Sequence, residues 1–135
     1  MKIIVLAGGL STERDVSLSS AAGICRTLLE KGHDAFLLDV FMGLEHAPEN
    51  LEDVFTLPDH GLDIVKNIST EEPDLAAVKA SRPDQSDCFF GPNVIELCRL
   101  ADITFLGLHG GEGENGKLQA AFDLLGIKYT GPDSL

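Results

Sequence analysis

Basic residues are scarce in this chain. Ten Lys and Arg stand against 22 Asp and Glu, for a formal net charge of −12. Such an excess of negative charge repels phosphate backbones and anionic lipid, so neither nucleic acid nor membrane is expected as a partner. No apolar stretch approaches the length of a membrane span. The start does not read as a secretory leader. One Lys precedes a short apolar run, which ends in glycines and charges instead of a small-residue cleavage site. Cysteine is sparse too: Cys25, Cys88 and Cys98 are odd in number and lack CxxC spacing. That argues against a disulfide framework and for a reduced, cytoplasmic setting. The acids of the middle, among them Glu45, Glu52, Asp59 and Glu71, follow no EF-hand spacing and read as solvated surface. No metal site is expected.

What is present is a length suited to one domain with its own core, 135 residues. Lys2 to Ala7 is a short apolar run that stops at Gly8-Gly9, and a polar loop then leads into a helix. A strand, a glycine-rich turn and a helix together aim backbone N–H groups and a positive helix end at an anionic ligand. The loop also offers Glu13 and Arg14 to a charged small molecule. It is neither a dinucleotide fingerprint nor a P-loop: the third glycine of the first and the Gly-Lys-Ser/Thr of the second are missing. A tight turn with no ligand is the alternative.

Leu18, Ala21, Ala22, Cys25, Leu28 and Leu29 predict a helix over 17–31, with Ser17 as N-cap and Gly32 as the residue that ends it. Asp34 to Val40 predicts a second strand, apolar enough for a parallel sheet covered on both faces. Residues 42–91 are acidic, contain prolines and show little periodicity, and are expected to form an irregular excursion. A second helix is expected from Pro92, with Val94, Leu97, Cys98 and Ala101 on one face. Ile103 to Leu108 then predicts a third strand, ending in the second glycine-rich loop, His109 to Gly116. A helix over 116–125 with Leu118, Ala121, Phe122 and Leu125 on one face, closed by Gly126, leads to a last strand, Ile127 to Thr130. Cys25 and Cys98 are expected in the core, and His33, His46 and His60 at the surface.

The fold class is therefore α/β, a small open parallel sheet with helices on both faces. In such sheets ligands bind beyond the carboxyl ends of the strands, where neighbouring crossovers diverge. With strand one between strands two and three, the two loops meet there, and Glu13 and His109 face one space.

The residues from Gly8 to Ser20 resemble the N-terminal motif of D-alanine–D-alanine ligases, GG-x-S-x-E-[RH]-[ED]-V-S. Leu108 to Gln119 resembles their second motif, LHG-x-x-GE-[DN]-G-x-[LI]-Q, and Leu124 to Gly131 is similar to the following LLGIPYTG. The resemblance implies a pre-ATP-grasp, Rossmann-like domain spanning 1–135, the substrate-binding part of a longer ligase. Such a ligase uses ATP and Mg²⁺ to join two D-alanines for peptidoglycan. This segment alone lacks the ATP-grasp domains, and is expected to bind neither cofactor and to be inactive.

By the same resemblance Glu13 and His109 are the catalytic candidates. Glu13, Val16, Ser17, His109 and Gly110 line the first D-alanine site. Gly8, Gly9, Ser11, Glu114 and Gly116 organise the loops. The carboxylate of Glu13 suits an ammonium, and His109 suits a carboxylate or a developing oxyanion. Asn115 stands where many relatives have Asp. The implied partners are D-alanine, the remaining ATP-grasp domains and a second copy in a homodimer. A ligase taking D-lactate or D-serine as second substrate, and a stand-alone flavodoxin-like binding module, stay open as alternatives.

Overall fold

A computed structural model describes residues 1–8, 14–44, 49–56, 60–62, 91, 93–107 and 112–130, with backbone alone at 14, 56, 112–118 and 130. Four strands, β1 (Lys2–Ala7), β2 (Asp34–Asp39), β3 (Ile103–Leu106) and β4 (Tyr129–Thr130), form one sheet in the order β2-β1-β3-β4. All three pairings are parallel, so every described strand points its carboxyl end to the same edge. Strand one lies between strands two and three, as expected.

The central strand shows why the sheet is covered on both sides. Ile4, Val5, Leu6 and Ala7 are fully buried. Their side chains alternate between two clusters, as a period of two requires. Ile3, Val5 and Ala7 face α1 (Arg14–Glu30), packing with Leu18, Ala21, Ala22 and Cys25. Ile4 and Leu6 face α2 (Val94–Leu100) and α3 (Glu112–Leu125), packing with Val94, Leu97, Cys98 and Phe122. Each fully buried aliphatic side chain of this kind contributes about 1.5–3 kcal/mol. Both described cysteines sit in these clusters as free thiols. Burial pushes the Cys25 thiol up to about 11 and the Cys98 thiol up to about 12, so both stay protonated at neutral pH.

Several boundaries differ from expectation for identifiable reasons. The first helix starts at Arg14, so Ser17 lies inside it and is not its cap. Its end is as predicted: Gly32 takes φ +90, its N–H bonds to the Leu29 carbonyl and the His33 N–H to that of Leu28, a Schellman closure. The helix expected from Pro92 starts at Val94. Asn93 precedes it in the left-handed region (φ 67) and uses its side chain to bond the Leu44 carbonyl at 2.8 Å; Pro92 lies outside the described residues. The last helix starts at Glu112 and not at 116. Leu125, expected on its apolar face, is 37% exposed, and among the described side chains of this helix Phe122 is the one that reaches the core; the side chain of Leu118 lies outside the described residues.

The excursion is anchored where it is described. A 3-10 helix, Leu51–Thr56, sends Val54 and Phe55 into the core. The His60 carbonyl accepts from the Leu37 N–H of β2 at 2.9 Å. His60 is half-buried, not at the surface, and its Nδ1 is buried with no partner among the described residues. His46, Cys88 and the remainder of 45–48, 57–59 and 63–90 lie outside the described residues.

Candidate functional site

The first strand leaves the sheet through a left-handed residue. Gly8 has φ +83, a conformation that costs an L side chain on the order of 1–3 kcal/mol. A second constraint is steric: a Cβ on Gly8 would lie 2.5 Å from Asp39 Oδ1 and 2.7 Å from Asp39 Cγ. The Gly8 N–H donates to Ser17 Oγ at 2.7 Å, and this bond is buried. Ser17 has no exposed surface, so its hydroxyl contributes to the site by tying the end of β1 to the start of α1. Val16, its neighbour in the first turn, is 54% exposed and open to a ligand. The α1 N-terminus therefore stands at the carboxyl edge, with Asp15 in its first turn as the helix dipole favours.

Asp39 was not among the residues singled out from sequence. It closes β2 opposite Ala7 and is 4% exposed. Its Oδ1 accepts from the N–H groups of Phe41 at 3.0 Å and Met42 at 3.2 Å. The signal available was one acid inside the apolar run from Ala35 to Val40.

The third strand ends beside the first. The Gly107 N–H donates to the Leu6 carbonyl at 2.8 Å, extending the ladder. A Cβ on Gly107 would lie 3.3 Å from the Ala21 Cβ, so the end of β3 packs closely on α1. Helix α3 then begins at Glu112, and its N-terminus also stands at the carboxyl edge. Glu114 and Gly116 were expected in the loop; their backbone belongs to the first two turns of α3.

Glu13, His109, Gly110, Gly9 and Ser11 lie outside the described residues. The elements that flank them are described. Gly8 and Arg14 bracket the first loop, Gly107 and Glu112 the second, and β1 and β3 are paired neighbours. Among the described residues no group of three or more His, Cys, Asp or Glu side chains converges as a metal site.

A cavity of about 310 Å³ lies at the opposite, amino edge, lined by Cys98, Arg99, Asp102 and Lys128 among others. The sequence reading missed it, because its walls come from the ends of α2 and α3 and the starts of β3 and β4.

A family model described as D-ala D-ala ligase N-terminus matches residues 2–132. The chain is 48% identical over 137 residues to the D-alanine–D-alanine ligase of Lacticaseibacillus casei (strain BL23), covering 100% of this chain and 37% of that protein. It is 48% identical over 138 residues to the one of Pediococcus pentosaceus (strain ATCC 25745), covering 100% of this chain and 38% of that protein. A solved VanG D-Ala:D-Ser ligase from Enterococcus faecalis matches at 27% identity with a TM-score of 0.47, covering 95% of this chain and 34% of that one. The chain thus spans a little over a third of the length of these ligases.

Proposed function

The chain belongs to the family of D-alanine–D-alanine ligase N-terminal domains, and from that premise we propose that it supplies the first D-alanine site of an ATP-dependent ligase joining two D-alanines. One observation carries the reading: β1 and β3 are parallel neighbours, and the helices that follow them both begin at the carboxyl edge of the sheet. The two loops that bear the family motifs connect those elements.

In this reading Glu13 accepts charge-assisted hydrogen bonds from the substrate ammonium and sets its orientation. His109 hydrogen-bonds the substrate carboxyl group. Val16 is exposed in the first turn of α1 and offers the substrate methyl an apolar wall. The positive end of α1 favours the negative charge that gathers at the reacting carboxyl. ATP with Mg²⁺ supplies the activating phosphoryl group. The described residues offer no carboxylate cluster for the metal. The proposal includes a cytoplasmic location and, on the family resemblance, a homodimer and the ATP-grasp domains as partners. Three cysteines without CxxC spacing, two of them buried free thiols, support the location.

The test is Glu13→Gln in the full-length ligase, with separate saturation curves for D-alanine and ATP. The lost ion-paired bond is of order 1.5–3 kcal/mol. The expected result is a D-alanine curve shifted at least tenfold beside a near-constant ATP curve. Unchanged D-alanine kinetics would remove Glu13 from the site.

A further inference from the structure

We propose that Asp39 is a positioning residue of the D-alanine site, holding the point where the chain leaves β1 for the loop that carries Glu13. The inference deepens the function proposed above and rests on it. Asp39 is fixed from one side by the turn that follows β2: Oδ1 takes both the Phe41 and the Met42 N–H, and the Asp39 carbonyl takes the Gly43 N–H at 2.8 Å. On its other side the carboxylate fills the space that a side chain at position 8 would need, with Oδ1, Cγ and Oδ2 all within 3.0 Å of such a Cβ. Gly8 lies against this wall at φ +83 and passes the constraint on, through its N–H, to Ser17 of α1.

A buried row of contacts therefore runs from the turn after β2, through Asp39 and Gly8, to the first turn of α1. The first loop leaves this row at Gly8 and rejoins the chain of α1 at Arg14. A hydrogen-bonded, buried side chain of fixed rotamer is the kind of support that keeps a neighbouring binding group within a fraction of an ångström. Asp39 touches no reacting atom in this scheme. Its effect on D-alanine passes through the position of the loop.

The experiment uses the full-length ligase carrying Asp39→Ala, Asp39→Asn or Asp39→Ser, with Glu13→Gln measured in parallel. Asp39→Ala should raise the D-alanine KM at least tenfold and leave the ATP KM within twofold. Asp39→Asn keeps the Oδ1 acceptor and the shape of the wall, and should restore the D-alanine KM to within threefold of the parent. If Asp39→Ala does not fold, Asp39→Ser decides. It keeps a short acceptor for the turn but empties the space beside Gly8, and the same tenfold rise is expected. D-alanine kinetics within twofold of the parent in a folded Asp39→Ala or Asp39→Ser enzyme would overturn the positioning role. Such silence beside an affected Glu13→Gln removes Asp39 alone. A silent Glu13→Gln beside an affected Asp39→Ala supports the positioning role and instead removes Glu13 as the anchor.

Discussion

Helices begin at one edge of this sheet and end at the other, and the two edges use glycine and charge for different purposes. At the amino edge Gly32 and Gly126, at φ +90 and +71, close α1 and α3. No atom lies within 4 Å of a Cβ built on either. At the carboxyl edge Gly8 also has positive φ, but there a Cβ would run into a buried carboxylate. The charges differ likewise. Asp102 at the amino edge is exposed and accepts from the Lys2 N–H at 2.8 Å, whereas Asp39 at the carboxyl edge is enclosed by backbone donors. The 310 Å³ cavity sits at the amino edge, where negative helix ends converge and Arg99 and Lys128 offset them. Helix direction and buried constraint choose the carboxyl edge.

Substitutions that treat the two edges alike should break this contrast if it is false. Gly8→Ala should have the largest effect, about 3 kcal/mol of lost stability by urea denaturation, since left-handed strain and overpacking both act there. Its D-alanine turnover in the full-length ligase should fall with it. Ser17→Ala should follow at about 2 kcal/mol, because the buried Gly8 N–H loses its acceptor; the urea midpoint of this variant checks it. Gly32→Ala, at the other edge, meets only the backbone penalty of about 1 kcal/mol. Its D-alanine KM should match the parent, and a raised KM would mean that the edges are not functionally distinct. Lys128→Ala should be the mildest. Stability should stay within about 0.5 kcal/mol, and D-alanine and ATP saturation should be unchanged although the cavity wall is altered.

Most of the fold was readable from local pattern. The alternation of Ile3, Val5 and Ala7 against Ile4 and Leu6 sets both faces of β1, and Gly32 and Gly126 mark helix ends because their conformation is local. The misreadings concern partners distant in sequence. A serine before an apolar helical run reads as a cap, yet Ser17 bonds Gly8, nine residues back. Asp39 gained its significance from Gly8, whose approach depends on β1 and β2 pairing. Glycines 113 and 116 suggested a loop because glycine is a poor helix former, but the helix runs through them from Glu112. Of the candidate site, the motif order and the shared strand edge were legible. In the core, the burial of Val54 and Phe55 was not legible, because a 3-10 turn in an acidic stretch leaves no period to detect.

In the proposed function D-alanine binds at the carboxyl edge, between the ends of β1 and β3, held by Glu13 and His109. A crystal structure of the full-length ligase with D-alanine bound tests it most directly. The substrate ammonium is expected at about 2.7–3.2 Å from the Glu13 carboxylate, with His109 on the same ligand. D-alanine seated in the cavity beside Cys98 and Lys128, or held at the carboxyl edge by groups other than these two, would contradict it.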